Sequence, residues 1–278
     1  MMKVEEINVA SCVPFSGNPF KVRDDFDMEL LVQSVLDYGV MFPIMVRSLD
    51  GGKYEIVSGH RRVHACEKAG IDKIPAFIRP MSRDEAVIIM VDSNLQRECL
   101  LPSEKAFAYK MKVEALSHQG KASVQPGQKS SRGLVAENAG ESETQVQRYI
   151  RLTYLIKPLL DLVDEGRIAL SPAVELSYLP ESAQKAVFDY YAENEVTPSY
   201  SQANQMKKHA AVGTLTPDAL TQLLEQPKPN QVETIKIPVD FVRRFRPAGT
   251  MKEWQDFVQK ACEYYAKVLR RNREKGAR

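Results

Sequence analysis

Cysteine and tryptophan are scarce in this sequence: its 278 residues carry 4 Cys and 1 Trp. Cys12, Cys66, Cys99 and Cys262 are scattered and form no Cys-x-x-Cys pair. That spacing speaks against a zinc ribbon and against a disulfide framework. Long apolar runs are also lacking. The longest, Ala86 to Val91, is far too short to span a bilayer. The opening residues Met1-Met2-Lys3-Val4-Glu5-Glu6 are acidic where a signal peptide would be basic and apolar, so a cytoplasmic protein with no membrane partner is expected. Charge of one sign is missing too, since the net charge is +2. Whole-chain charge therefore does not point to nucleic acid, and any such signal must lie in its distribution. His60 and His64 stand at a helical spacing of four, but no Glu follows His60 as a zinc-protease motif needs. No metal site and no catalytic residue are expected.

What is present is enough for two or three domains: 44% of the residues are hydrophobic. The first hundred residues alternate strand and helix signals. Leu30 to Tyr38 is helical in period, Ile44 to Arg47 reads as a strand, and Asp50-Gly51-Gly52 as a hairpin turn. Tyr54 to Val57 returns as a strand, Arg61 to Ala69 is a helix closed by Gly70, and Ala76 to Arg79 is another strand. After Pro102 the character is helical. Pro102-Ser103-Glu104 suits a helix start, with Ala106 to Leu116 following. Ser117 to Ser131 is polar and rich in Gly, Gln and Ser, and reads as an exposed loop. Gln226-Pro227-Lys228-Pro229-Asn230 reads as a linker, Ile235 to Val239 as a short strand, and Met251 to Arg273 as one helix.

The segment from Tyr54 to Ala76 is the most informative. A strand runs into Ser58-Gly59-His60, and the pair Arg61-Arg62 opens a helix. A helix N-terminus offers free N–H groups to an anion, Gly lets the backbone come close, and two guanidiniums stand beside it. The pattern reads equally as a phosphate site or as an exposed Arg pair. A second segment, Asp92-Ser93-Asn94-Leu95-Gln96-Arg97-Glu98, follows the apolar helix Glu85 to Val91. Together with Ala65, Gly70, Ile74-Pro75, Leu100 and the upstream Asn18-Pro19-Phe20, Arg23, Leu31 to Gly39 and Pro43-Ile44, these segments resemble the ParB-type partition family, also seen in nucleoid-occlusion proteins. The resemblance covers roughly the first two thirds of the chain. Several motifs in the right order weigh far more than one pattern match.

Arg132 to Thr153 fits a helix-turn-helix. Ala136, Gly140 and Val146 stand at the required spacings, and Ser142 with Gln145 suits a capping box. On the second helix Val146, Tyr149 and Ile150 form an apolar stripe, while Thr144, Gln145, Gln147, Arg148 and Arg151 lie on the other side. The expected DNA-binding set is Arg132, Ser142, Thr144, Gln145, Gln147, Arg148 and Arg151. An ordinary helical hairpin with a polar face is the alternative. The family's Gly-His-Ala stretch is replaced by Ser171-Pro172-Ala173.

The resemblance implies an α+β protein. A small mixed α/β nucleotide-binding domain, 1–101, of ParB/sulfiredoxin type would precede an all-helical helix-turn-helix domain, 102–225, and a C-terminal linker and dimerisation helix, 226–278. It implies CTP, with Mg2+, held by Arg23, Gly59, His60, Arg61, Arg62, Ser93, Asn94 and Arg97. It also implies double-stranded DNA, a homodimer and a ParA-like ATPase as partners, and a nucleoid- or plasmid-associated role. Two departures matter: His60 and Ser93 stand where the family carries acids, which argues against CTP hydrolysis. Asp92 or Glu98 are the candidate substitutes. A rival is a sulfiredoxin-like enzyme, but its nucleophilic Cys is absent from Ser58-Gly59-His60-Arg61 and Cys66 is a poor replacement. Another is a transcriptional regulator that binds an operator without closing as a clamp. Trp254, Val258, Ala261, Tyr265 and Val268 form a seam that suits a helix pair or packing on the same chain. The basic end from Lys267 to Arg278 reads as a phosphate-binding tail or a solvated helix end.

Overall fold

The computed structural model describes residues 3–97, 100–119, 130–226, 242, 244–245 and 249–276. The chain divides into two compact units, Met1–Gln226 and Pro227–Arg278. The finer division of the first unit at 101/102 remains a proposal.

The first unit begins with a five-stranded mixed sheet. Its strands are β1 (Val4–Asn8), β2 (Cys12–Val13), β3 (Ile44–Ser48), β4 (Tyr54–Ser58) and β5 (Lys73–Ile78), in the order β1-β5-β3-β4-β2. β3 and β4 form the expected hairpin, paired antiparallel across the Asp50–Gly52 turn. β5 runs parallel to β3 on the side away from β4, and helix α2 (His60–Ala69) makes the connection from β4 to β5. α1 (Phe26–Tyr38) and α2 cover one face, where Met28, Val35, Val63 and Cys66 pack on Ile44, Val46, Ile56 and Ile74. α3 (Arg83–Leu95) and α4 (Pro102–His118) enclose a second core with Val57, Met90 and Val91. Adjacent Ile56 and Val57 thus bury on opposite faces, as the two-residue strand period requires. Each such side chain contributes about 1.5–3 kcal/mol of burial, so an Asp at Val57 would break the α3 face.

Each expected helix of the N-terminal half is longer than its apolar core. α1 starts at Phe26 rather than Leu30 because Asp25 caps it, Oδ1 accepting from Met28 N–H. α3 starts at Arg83 through a reciprocal capping box of Ser82 and Glu85. β5 starts at Lys73, not Ala76, because β1 pairs with it from Lys73 onward. β1 was not expected: of its five residues only Ile7 is buried, which leaves almost no period to read.

The rest of the unit is helical: α5 (Ser131–Ala139), α6 (Glu143–Leu152), α7 (Lys157–Asp164), α8 (Leu170–Leu176), α9 (Glu181–Asn194), α10 (Tyr200–Ala211) and α11 (Pro217–Glu225). Tyr109 and Leu116 of α4 pack against Val135, Ala136 and Val146 of the α5–α6 hairpin. A larger core of Leu152, Leu159, Leu176, Met206 and their neighbours holds α6 to α11 together. The second unit contains α12, Met251–Gly276. Among the described residues, no helix is long and apolar enough to cross a membrane. The linker after Gln226, the strand Ile235 to Val239, and Glu98 and Cys99 lie outside the described residues.

Candidate nucleotide cleft and nucleic-acid face

β4 ends at Ser58, and Gly59 turns the chain into α2 with φ 108° and ψ 23°. No side chain caps this helix, and a Cβ at Gly59 would lie 2.6 Å from Ile44 Cγ2. The position therefore requires glycine for conformation and for space, and no side chain competes with an anion at the start of α2, although the Arg62 N–H already donates to the Gly59 carbonyl at 2.9 Å. Beside it lies a cleft of about 560 Å3 whose walls include Lys21, Arg23, Arg61, Arg97 and Glu104. Four cations thus converge on one concavity. Burial first, and the nearby Arg61 charge second, hold the Arg97 guanidinium below its ordinary pKa. Arg61 Nη2 lies 3.5 Å from Asp25 Oδ1, on the same cleft wall.

Of the eight residues expected at the nucleotide, Arg23, Arg61 and Arg97 line this cleft, and Gly59 forms the turn beside it. The other four are engaged elsewhere. Arg62 donates through Nη1 to the carbonyls of Phe42 and Pro43, the latter at 2.8 Å, and so braces the entry to β3. Its guanidinium is held below its usual pKa by burial. His60 Nε2 accepts from Phe15 N–H at 3.4 Å. Burial chiefly, with the Arg97 charge adding and Glu55 opposing, pushes the imidazole down to about 4, so it is neutral at pH 7. Ser93 Oγ donates to Met90 O at 3.0 Å, and buried Asn94 Nδ2 donates to the same carbonyl at 2.8 Å.

Among the described residues, the acids that line the cleft are Asp25, Asp27 and Glu104, while Glu98 lies outside the described residues. Asp92 pairs with the buried Lys112 Nζ and is not among the residues that line this cleft. Glu104 is buried and bridges two segments, its Oε1 accepting from Lys21 N–H and its Oε2 from Leu101 N–H. It was missed because a Glu at the third position of a helix reads as an ordinary cap. Asp164, at the end of α7, accepts from Ser103 N–H at 2.9 Å and from Ser103 Oγ at 2.6 Å. Lys21 Nζ approaches the same carboxylate at 3.9 Å. The cleft wall is thereby tied to the helical half through α4.

The α5–α6 hairpin has the geometry of a helix-turn-helix. Gly140 ends α5 in the left-handed region at φ 66°, and Ser142 caps α6, its Oγ accepting from Gln145 N–H. The expected reciprocal half of that box is replaced. Gln145 Oε1 takes Arg148 Nη1 instead, at 3.3 Å. Arg148 Nη2 also donates to Ser171 Oγ at 2.6 Å, and Arg132 Nη1 donates to Gln147 Oε1 at 2.8 Å. Thr144 and Gln147 are exposed on the outer face, with Ser142 at its start. Arg151 is the most constrained: Nε donates to Ser177 Oγ and Nη2 to the Ser177 carbonyl, at 3.0 and 2.7 Å. Arg132, Arg148 and Arg151 are therefore aimed by neutral acceptors.

A rival thiol chemistry has no support here. Cys66 is fully buried, and burial pushes its thiol up, away from the thiolate that a nucleophile needs. Among the described residues, no three His, Cys, Asp or Glu side chains are grouped to hold a metal ion.

Residues 1–95 match the family profile of the ParB N-terminal domain. The stage 0 sporulation protein J of Bacillus subtilis is 36% identical over 60% of this chain and 55% of its own length. A nucleoid occlusion protein of Bacillus thuringiensis is 27% identical over 74% of this chain and 70% of its own. The chain thus spans little more than half of the first of these relatives. A solved structure of the C-terminally truncated chromosome-partitioning protein ParB from Caulobacter crescentus, complexed with CTP-gamma-S, shares 24% identity over 66% of this chain and 97% of that one, with a TM-score of 0.33.

Proposed function

From the premise that this chain belongs to the ParB-type partition family, we propose that it is a sequence-specific DNA-binding protein whose N-terminal cleft binds CTP. The observation that carries the reading is the convergence of Lys21, Arg23, Arg61 and Arg97 beside the uncapped N-terminus of α2. A triphosphate is the ligand that four such cations beside a glycine turn suit. Arg23, Arg61 and Arg97 would hold its phosphates and Gly59 would let the backbone approach. CTP would supply the polyanion, with Mg2+ sharing its charge.

Turnover is expected to be slow. His60 spends its acceptor nitrogen on Phe15, Ser93 donates into its own helix, and Asp92 is paired with Lys112. Glu104 holds two backbone N–H groups, so it is committed to structure. At the two positions where the family carries acids, His60 and Ser93 offer no carboxylate to position water.

On the helical side, Thr144, Gln145, Gln147 and Arg148 would read base edges in the major groove, with Ser142, Arg132 and Arg151 toward the backbone. The protein would act as a cytoplasmic, nucleoid- or plasmid-associated homodimer on a palindromic site, paired through α12, in segregation with a ParA-like ATPase. The likeness to a nucleoid occlusion protein keeps a second reading, a DNA-bound factor without clamp closure.

Sequencing the DNA retained by the purified chain, with and without CTP, tests both halves, alongside calorimetric titration of CTP and a phosphate-release assay. A selected site, CTP binding and little phosphate release are expected. No selected DNA sequence would refute the DNA half, absence of CTP binding would refute the cleft, and brisk release would refute the reading of His60 and Ser93.

A further inference from the structure

The outer stripe of α6, made of Thr144, Gln147, Arg148 and Arg151 at helical spacing, does not stop at the end of that helix. Arg151 lies over two aromatic rings, 4.4 Å from the centroid of Tyr154 and 3.9 Å from that of Tyr178. Lys207 Nζ of α10 lies 3.9 Å from the Tyr178 centroid, and Lys110 Nζ of α4 lies 5.5 Å from that of Tyr154. Lysine, tyrosine, arginine, tyrosine and lysine therefore alternate in one ladder that draws on α4, α6, α10 and the turns after α6 and α8. Tyr154 and Tyr178 are 55% and 47% exposed, so the ladder stands at the surface rather than in the core. It borders an open cleft of about 940 Å3 also lined by Lys157 and Ser177.

Stacking fixes these cations without neutralising most of them. Arg151 is held by the hydroxyl and carbonyl of Ser177, both neutral. The facing carboxylates are Glu175, which pairs with Lys207 at 2.9 Å, and Glu181, which pairs with Lys185 at 2.8 Å. Lys157 pairs with Asp161 at 2.9 Å. A guanidinium lying on an aromatic face keeps its charge and its outward N–H groups while losing rotamer freedom. Such preorganised cations, continuous with a base-reading helix, suit phosphate oxygens, which carry position and not sequence.

We propose that the Lys110–Tyr154–Arg151–Tyr178–Lys207 ladder is a second nucleic-acid contact, gripping the phosphodiester backbone of the duplex whose bases α6 reads. This rests on the DNA-binding reading above and extends it to residues on α4 and α10 that carry no helix-turn-helix signature. The ladder sets affinity and its salt dependence, whereas α6 sets sequence preference.

The test is a salt titration of affinity for the selected duplex, with the full chain as wild type, E175Q/K207Q, Y178L and Y178F. The E175Q/K207Q pair keeps the local net charge while removing the lysine. Each phosphate contact contributes about 0.9 to the slope of log affinity against log salt. E175Q/K207Q and Y178L should each lower that slope by about 0.9 and leave the preferred sequence unchanged, while Y178F, which keeps the ring, should match wild type. Acetylation footprinting of the wild type gives a reading that needs no variant: the Lys207 amine should be protected by the duplex. Wild-type slopes in both E175Q/K207Q and Y178L, or a Lys207 that DNA leaves unprotected, overturn the ladder while DNA binding stands. If wild type selects no duplex, the DNA-binding reading itself falls and the ladder with it.

Discussion

The two cationic surfaces of this chain manage their arginines in opposite ways. In the N-terminal cleft, Arg61 sits 3.5 Å from Asp25, and Arg97 lies near Arg61 and Glu104. Cations and carboxylates are crowded together, so an incoming polyanion would replace a resident acid and relieve repulsion between guanidiniums. On the α6 face, Arg132, Arg148 and Arg151 are oriented by Gln147, by Gln145 with Ser171, and by Ser177. Neutral acceptors fix direction and leave the charge uncompensated, so the face attracts a ligand from a distance and presents donors already aimed. On the proposed reading, the first surface would exchange one compact anion and the second would take a ligand of extended and uniform charge.

Five substitutions break or sharpen that contrast. The largest effect is expected at Gly59→Ala, where the positive φ and a Cβ placed 2.6 Å from Ile44 act together. Strain and overpacking should cost about 4 kcal/mol of stability and abolish CTP binding, while the isolated α5–α6 contacts persist. Urea unfolding and calorimetry measure both.

His60 gives the next effect, and its sign is defined. Its folded pKa is pushed down to about 4 from an ordinary value of 6.5. Between those pH values the unfolded chain binds the extra proton, so stability falls as pH drops from 6.5 toward 4 and gains nothing above 6.5. The loss reaches about 3 kcal/mol by pH 4. His60→Gln should flatten that part of the pH–stability curve. An unchanged acid limb would show that the imidazole is not the buried neutral group.

On the other surface, Arg148→Ala should cost about 2 kcal/mol of affinity for the selected duplex and relax preference at one base position. Ser171→Ala, which removes the acceptor that holds the guanidinium, should reproduce part of the relaxed preference without changing the salt slope. Filter binding over a set of single-base variants separates the two.

The smallest effect is expected at Asp25→Asn. Asn still caps α1, but the resident acid no longer competes for Arg61. CTP affinity should rise by about 0.5–1 kcal/mol, the range of partly exposed ion pairs. A fall in affinity would mean that Asp25 belongs to the bound state rather than to the empty cleft.

The elements that sequence located best are those whose local signals agree. α2 had its opening at Gly59 and its Gly70 cap, and the α5–α6 hairpin had Ala136, Gly140, Ser142 and Val146 at fixed spacings. β1 escaped because its pairing with β5 is a contact between residues about seventy apart, and its exposed Val4, Glu5 and Glu6 carry no alternation. Within the candidate cleft, Arg23, Arg61 and Arg97 were legible from their motifs. Lys21 and Glu104 were not, since neither stands in a pattern that distinguishes it from a surface lysine or a helix cap.

By itself, then, the sequence determined which residue types stand at each turn and helix start, because glycine conformation, capping and periodicity are local properties of the chain. It determined the order of the sheet domain, the helix-turn-helix and the helix α12 in the same way. Only the tertiary structure decided where the side chains point: Arg62 to the carbonyls of Phe42 and Pro43, His60 to Phe15, Asp92 to Lys112, Glu104 into the cleft, and Arg151 between two tyrosines. The physical reason is that a buried polar or charged group must find a partner wherever packing brings one. In each of these cases that partner lies on another element of the fold or beyond the end of its own helix, and no spacing along the chain encodes it.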